Sequence, residues 1–179
     1  NGPHSAGALI IRKGINLKPL MFGGGQQEDL RSGTMDAALI SAFAYAAELN
    51  NKSKLKATEQ VLKLNAYCRE RLESLKDRKG RTLAVEFFSA VENSPYILML
   101  SIKGFEGAIL MRMLSAEGIC IGTGSACSAE SKDPNKTLLT MGVARNLAFS
   151  AIRLSFSVFT SLEDVDTFVQ KTQQIIEDY

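Results

Sequence analysis

The segment Ile97-Leu-Met-Leu-Ser-Ile102 has the clearest strand pattern in the sequence, and its neighbours along the chain determine the fold class. Residues 105–117 have the apolar spacing of a helix, and residues 119–121 are typical of a short strand. Residues 83–89 and 151–156 predict two further strands. Because strands and helices alternate, we expect an α/β or α+β domain in which a sheet carries packed helices.

The first half of the chain has a different pattern. Residues 7–12 predict a short buried strand, and residues 17–22 predict a second extended segment. Residues 36–76 have helical spacing, and the pair Asn50-Asn51 is expected to break or kink them into two helices. Further helices are predicted at residues 136–141 and after Ser161, where Asp164 completes a weak capping box.

Composition places the chain among ordinary globular proteins. Its 179 residues are 45% hydrophobic and 22% charged, and the net charge is +2. This balance gives no electrostatic reason to expect nucleic acid as a direct partner. No apolar run is long enough to cross a bilayer, and residues 1–5 lack the features of a signal peptide. We therefore expect a cytoplasmic protein with no membrane partner.

The three cysteines differ in their surroundings. Cys68 and Cys120 have apolar neighbours, which predicts that both are structural core residues. Cys127 ends the run Gly122-Thr-Gly-Ser-Ala-Cys127, whose small residues predict an exposed loop, and exposure is what a reactive thiolate requires. No CxxC or Cys/His spacing is present, so no metal site is expected. The only histidine, His4, follows Gly-Pro and is interpreted as a loop residue.

Two other features can carry chemistry. Residues 23–34 combine glycines and hydroxyls directly before a helix, where backbone N–H groups and the Thr34 hydroxyl suit a phosphate. The alternative is a glycine-rich turn in which Thr34 only caps the helix. Arg153 lies inside an apolar strand, where an arginine often pairs with a carboxylate, either from the protein, as is more common, or from a ligand.

Four short stretches, in this order, resemble the NifS/IscS-type cysteine desulfurases. These are pyridoxal-phosphate enzymes of the class V aminotransferase family. The stretches are Gly2-Pro3 with Gly7-Ala-Leu-Ile10, Gly23-Gly-Gly-Gln26 through Leu30-Arg-Ser-Gly-Thr34, Gly124-Ser-Ala-Cys-Ser128, and Ile152-Arg-Leu-Ser-Phe156. Together they span nearly the whole chain, and their order makes the resemblance specific.

The resemblance implies a role for each candidate residue. Cys127 would attack the sulfur of the bound substrate L-cysteine and become a persulfide, releasing L-alanine. Arg153 would hold the substrate α-carboxylate, and Thr34 would reach the cofactor phosphate of the neighbouring subunit in a homodimer. The loop after Cys127 would carry the persulfide to an acceptor protein, either an iron–sulfur scaffold or a tRNA-thiolation enzyme.

The resemblance also implies a division of the chain. Residues 1–35 would be the tail of the large cofactor-binding domain, residues 36–79 would be bridging helices, and residues 80–179 would form the small C-terminal domain. The cofactor lysine of the family would lie two residues before Asn1. We therefore expect a C-terminal fragment that is inactive alone, does not bind pyridoxal phosphate tightly, and leaves apolar surface at residues 7–22 exposed or paired with another chain.

Several positions depart from the family pattern. His4 stands where the family usually has Lys, and Gln26-Gln-Glu-Asp29 replaces the usual Gln-Glu-Arg-Gly. The segment Lys132-Asp-Pro-Asn-Lys136 differs from the common Leu-Glu-Pro-Ser-His, which bears on acceptor choice. Two alternatives stay open: another class V enzyme, such as a selenocysteine lyase or an aminotransferase, and a non-enzymatic sulfur-accepting module.

Overall fold

The computed structural model describes residues 2–90, 93–124 and 134–178. The chain divides into two compact units, Asn1–Leu55 and Lys56–Tyr179. The helices are α1 (Ala37–Glu73), α2 (Gly107–Ala116), α3 (Lys136–Thr140), α4 (Arg145–Phe149) and α5 (Leu162–Asp178), and the strands are β1 (Val85–Phe87), β2 (Ile97–Ile102) and β3 (Ala151–Ser155).

The sheet of the second unit confirms the expected sheet with packed helices. Its order is β1-β2-β3, and both pairs of neighbouring strands are antiparallel. Val85 pairs with Ile102 at one side of β2, and Met99 pairs with Arg153 at the other. Because cross-strand partners share a face of the sheet, the side chains of Met99 and Arg153 project to the same side.

One face of the sheet carries the main hydrophobic core. Side chains alternate between faces along a strand, so Leu98, Leu100 and Ile102 project together, opposite to Met99. These three are at most 1% exposed, and they pack with buried residues of α1, α2 and α5. On the other face, Met99 contacts a smaller cluster formed around Leu138 of α3 and Ala148 of α4. Arg153 therefore lies on the thinly covered face.

Helix α2 approaches the sheet closely at its first residue. Gly107 is buried, and a Cβ atom there would stand 2.5 Å from the carbonyl oxygen of Ala151. Only glycine allows the helix backbone to reach β3 at this distance. The contact joins α2 to the strand that carries Arg153.

The predicted break at Asn50-Asn51 is wrong. Helix α1 is continuous from Ala37 to Glu73, and its N-terminus is capped by the Asp36 carboxylate, which accepts a hydrogen bond from the Leu39 amide at 2.9 Å. The two asparagines are exposed, so their polar side chains remain hydrated while the backbone stays helical. Low intrinsic helix propensity of two surface residues costs too little to interrupt a long helix.

The predicted strand at residues 7–12 is also wrong, and residues 17–22, predicted as an extended segment, form no strand either. Both segments lack regular secondary structure, and Ile10 and Leu20 are each 95% exposed. A strand needs a neighbour to satisfy its N–H and C=O groups, and none of the described residues pairs with either segment. The expected exposure of apolar surface in residues 7–22 is confirmed.

The start of helix α5, near the other end of the chain, was predicted correctly from neighbouring residues alone. Ser161 and Asp164 form the predicted capping box of α5, because the Ser161 hydroxyl accepts from the Asp164 amide at 3.1 Å and the Asp164 carboxylate accepts from the Ser161 amide at 2.8 Å.

In contrast, residues 119–121 do not form the predicted strand. They lead into an isolated bridge between Gly122 and Arg153.

Candidate functional site

Arg153 is held in place by both its backbone and its side chain. Its amide donates to the Gly122 carbonyl at 2.6 Å, and its own carbonyl accepts from the Gly122 amide at 3.0 Å. The half-buried guanidinium donates from Nη1 to the Gly124 carbonyl at 2.5 Å. The side chain thus lies over the short segment that joins Gly122 to Gly124.

The ion-pair alternative for Arg153 finds no partner in the described residues. The salt bridges within those residues involve other cations, and no described carboxylate lies within 4.0 Å of this guanidinium. Beyond the bond from Nη1, no described residue accepts from Nε or Nη2. An arginine with donors that no described residue engages is suited to a ligand carboxylate.

Gly122 forms the surface against which the guanidinium rests. A Cβ atom at Gly122 would stand 3.1 Å from Nη2 and 3.4 Å from Cζ of Arg153. That distance is tighter than an ordinary van der Waals contact, so an added methyl group would displace the guanidinium by a few tenths of an ångström. The absence of a side chain at this position therefore sets where the positive charge lies.

Cys127, the predicted sulfur carrier, lies outside the described residues. The described chain stops at Gly124, three residues before Cys127, and resumes at Pro134. The two described flanks meet, because a Cβ atom on Gly124 would stand 2.8 Å from Nδ2 of Asn135. The assignment of Cys127 stays a prediction, and the structure describes the chain on both sides of residues 125–133.

Asn135 was not predicted as a site residue. Its side-chain oxygen caps α3 by accepting from the Leu138 amide at 3.2 Å, and its own amide donates to the Ala148 carbonyl at 3.1 Å. A sequence signal existed, since asparagine is among the preferred N-cap residues and it stands directly before the predicted helix. The contact with Gly124 depends on tertiary structure and has no local signal.

Of the other two cysteines, both predicted to be buried in the core, only Cys68 is buried. Cys68 is 1% exposed, and burial raises the pKa of its thiol to about 12, so its structural role is confirmed. Cys120 is exposed, and its predicted burial is wrong. Its neighbours Ile119 and Ile121 pack against the core, and in an extended segment the residue between them projects away from it.

Thr34 belongs to the first compact unit, whereas Arg153 belongs to the second. The side chain of Thr34 is exposed at the end of a loop. Within this loop, the Ser32 hydroxyl donates to the Gly24 carbonyl at 3.0 Å, and the Gly33 amide donates to Gln26 Oε1 at 3.2 Å. Asp36, rather than Thr34, accepts the first helical amide bond, so the capping alternative for Thr34 is wrong.

The same loop contains a short left-handed turn. Gln27, Glu28 and Asp29 have φ values of 58°, 55° and 62°, and the Leu30 amide closes the turn on the Gln27 carbonyl at 3.1 Å. Left-handed backbone is unfavourable for residues with a Cβ atom. Asp29 is the last of these three residues, and each of them carries the Cβ atom that makes this backbone unfavourable.

The described residues contain no group of three or more His, Cys, Asp or Glu side chains that would hold a metal ion. Within the same ranges, none of the helices has the length and apolar character that crossing a bilayer requires.

A family model described as aminotransferase class-V matches residues 1–168. The chain therefore belongs to the class-V aminotransferase family. This membership, and the fold comparisons below, confirm the resemblance that the four motifs predicted.

Curated relatives carry more specific descriptions. The chain is 33% identical to a "NifS/IcsS protein homolog" of Lactobacillus delbrueckii subsp. bulgaricus, over 100% of this chain and 45% of that protein. It is 36% identical to an "IscS-like cysteine desulfurase" of Mycobacterium tuberculosis, over 94% of this chain and 42% of that protein. The chain thus spans less than half the length of the curated relatives it matches.

Solved structures give the same fold. A protein described as "NIFS-like" superposes with a TM-score of 0.78 at 30% identity, covering 94% of this chain and 41% of the other. A "NifS-like protein" from Rickettsia africae gives a TM-score of 0.74 at 22% identity, covering 92% and 41%, and supports the fold alone.

Proposed function

We propose that this chain is part of a cysteine desulfurase, which converts L-cysteine to L-alanine and transfers the sulfur to Cys127 as a persulfide. The observation that carries the proposal is the bond from the Arg153 guanidinium to the carbonyl of Gly124. At the described end of the segment that leads to Cys127, this bond holds a guanidinium whose Nε and Nη2 have no acceptor among the described residues. Three residues of chain span at most about 10 Å, so the sequence keeps Cys127 within reach of a ligand on Arg153.

Arg153 binds the substrate α-carboxylate. Its Nη1 group is engaged by Gly124, which leaves Nε and Nη2 to donate two parallel hydrogen bonds. Because Gly122 and Gly124 fix the guanidinium, the carboxylate is oriented as well as bound. Orientation matters here, since the substrate sulfur must be presented to a thiolate on a neighbouring loop.

Cys127 is the nucleophile. Its thiolate attacks the substrate sulfur, an S–S bond forms as the substrate C–S bond breaks, and the carbon that keeps the electron pair takes up a proton to give alanine. Pyridoxal phosphate, when bound, supplies the electron-withdrawing group that makes this carbon an acceptable leaving group. The other cysteines are poor substitutes, because Cys68 is buried with a raised pKa and Cys120 projects from a different segment.

The Thr34 hydroxyl fits a cofactor phosphate. It is exposed, neutral and able to donate a hydrogen bond, and it stands beside Gly33 in a glycine-rich loop. A hydroxyl of this kind is a common phosphate ligand next to a helix N-terminus. We assign it to the phosphate bound by the neighbouring subunit of a homodimer, which a Thr34→Ala variant should test through weaker cofactor retention on gel filtration.

The persulfide is passed to a second protein, either a scaffold for iron–sulfur clusters or a tRNA-thiolation enzyme, in the cytoplasm. The free thiols of Cys68 and Cys120 support a reducing compartment. Sulfur labelled in L-cysteine should appear on the acceptor only when Cys127 is present.

The decisive experiment compares two cysteine variants of the full-length, cofactor-loaded protein. Cys127→Ser should lower alanine formation from L-cysteine by at least about 100-fold, because the nucleophile is lost. The matched control, Cys120→Ser, changes an exposed thiol seven residues earlier and should stay within twofold of the unmodified protein. Alanine turnover retained by Cys127→Ser would instead support another class V activity.

A further inference from the structure

Four cationic side chains in the described part of the second unit are half-buried: Arg69, Arg71, Arg153 and Lys171. Two of them have carboxylate partners, because Arg71 and Lys171 form salt bridges at 3.0 and 2.8 Å. Neither Arg69 nor Arg153 pairs with a described carboxylate. The proposed function assigns a ligand carboxylate to Arg153 and none to Arg69. Since charges that leave water are usually paired, Arg69 still lacks a counter-charge.

The guanidinium of Arg69 is held in a fixed position by three contacts. Its Nε donates to Oδ1 of Asn65 at 2.9 Å, and its Nη2 donates to the Ser89 carbonyl at 2.6 Å. Its central carbon lies 4.9 Å from the centroid of the Phe87 ring, a cation–π contact. Asn65 is only 7% exposed and is fixed in turn, because its Nδ2 donates to the Pro95 carbonyl at 2.9 Å. Both hydrogens of Nη1 and the second hydrogen of Nη2 have no acceptor among the described residues.

A pocket, here called the Arg69 pocket, opens beside this guanidinium. Its lining is formed by Leu62, Asn65, Ala66, Arg69, Ala90, Ser94 and Pro95. It encloses about 320 Å³, part of which is open to solvent, so it has room for a ligand of a few carbon atoms. Arg69 carries the only charge in the lining, and Leu62, Ala66 and Pro95 make much of the wall apolar.

The Arg69 pocket is separate from the site of Arg153. Phe87 pairs with Leu100 across the sheet, and cross-strand partners project to the same face. Leu100 faces the main core, whereas Arg153 lies on the other face with Met99. Arg69, which stacks on Phe87, therefore lies on the opposite side of the sheet from Arg153.

We propose that the Arg69 pocket binds a short aliphatic monocarboxylate. The Nη1 and Nη2 groups donate two parallel hydrogen bonds to the two carboxylate oxygens, the geometry in which a guanidinium pairs most strongly. The carbon chain then lies against Leu62, Ala66 and Pro95. One fixed cation among apolar walls matches a single negative charge on a short hydrocarbon chain. The inference does not rest on the proposed function, because it uses none of the residues assigned there.

The test uses the full-length holoenzyme with carbon-13-labelled alanine methyl groups, and sodium butyrate as the probe. Ala66 and Ala90 line the pocket, so their methyl resonances report on it separately from any butyrate bound at Arg153. Both should shift saturably with a Kd on the order of 1–10 mM, as expected for six non-hydrogen atoms. The methyl group of Ala116 does not line the pocket and should not move. Neutral butyramide and sodium chloride at equal ionic strength should cause no saturable shift.

Two variants remove the site in different ways. Arg69→Met deletes the charge and should weaken butyrate binding about 10-fold or more. It also loses the bonds to Asn65 and Ser89, so Ala66→Leu supplies a measurement that keeps them. Leucine at this exposed helical position fills the pocket and retains helix propensity, and the Ala90 methyl should then no longer respond.

Two controls accompany these variants. Arg112→Met removes an exposed cation of α2 that does not line the pocket, and it should leave the Kd within about twofold. Glu92→Gln removes the carboxylate nearest to Ala90 in the sequence, which lies outside the described residues, and it should also leave the Kd within about twofold.

The outcomes separate this proposal from the proposed function. Shifts that chloride reproduces would mean an adventitious ion only, and they overturn the proposal. An unchanged response of Ala90 in Ala66→Leu, or a Kd that becomes clearly tighter in Glu92→Gln, overturns it as well, the latter because the chain's own carboxylate would then occupy the site. Failure of the holoenzyme to form alanine would overturn the proposed function and leave the Arg69 pocket as it stands.

Discussion

The role of Arg153 can be tested by changing both the side chain and the substrate. In Arg153→Lys the positive charge remains, but the planar fork and the bond to the Gly124 carbonyl are lost. One charge-assisted hydrogen bond contributes about 1.5–3 kcal/mol. Loss of one of the two bonds to the carboxylate should therefore cost about 2 kcal/mol, which is about 30-fold in kcat/KM for L-cysteine. Arg153→Ala, which also loses the charge, should cost more.

The assay is steady-state alanine formation by the full-length holoenzyme with L-cysteine and with its methyl ester, which has no carboxylate charge. The unmodified protein should prefer L-cysteine, and the preference should shrink about 30-fold in Arg153→Lys, because the ester never used the second bond. Arg112→Lys, at an exposed position of α2, is the control and should retain the preference. An unchanged preference in Arg153→Lys would refute the carboxylate assignment.

Three further predictions follow from the structure. Burial raises the pKa of the Cys68 thiol from 9.0 to about 12, so the contribution of the protonated thiol to stability is complete below pH 9 and is lost as pH rises toward 12. Between pH 9 and pH 10, urea unfolding should therefore show a decrease in unfolding free energy that is about 1 kcal/mol larger for the unmodified protein than for Cys68→Ala. An equal decrease in both proteins would count against this prediction. Asp29→Gly relieves the left-handed strain and should raise the unfolding free energy by about 0.5–1 kcal/mol, whereas Asp29→Ala, which keeps the Cβ atom, should not. The purified 179-residue chain mixed with pyridoxal phosphate should show no protein-bound absorbance band after gel filtration, and a retained band would contradict the expectation that this chain alone does not bind the cofactor tightly.

Elements with strong local signals were predicted well from the sequence. Strand β2 matches residues 97–102, and α5 begins after the capping box at Ser161, because alternation and capping are properties of neighbouring residues. The first thirty residues could not be predicted in this way. Their apolar runs have the composition of strands, but a strand exists only where another strand accepts its hydrogen bonds, and that is not a local property.

Only part of the candidate site was predicted, because local sequence signals exist for some of its residues and not for others. Arg153 stood out because a charged residue inside an apolar strand is rare. Cys120 was misplaced because its neighbours indicated apolar surroundings, whereas an extended backbone turns alternate side chains to opposite sides. Asn135 meets Gly124 although the two are distant in the sequence, so no local pattern predicts the contact. Helix α4 was missed because its five residues carry too short a pattern.

The contact between Gly107 and Ala151 restricts how this family member can diverge. Relatives at 33% identity differ from this chain at most positions, and most surface residues can change without consequence. Position 107 does not tolerate such changes, because even alanine would push α2 away from β3, the strand that contains Arg153. When a saturation library at codon 107 is selected for folded protein, almost all of the recovered variants should carry glycine. Gly107 is therefore a useful reference position when segments are exchanged between distant sequences of this family.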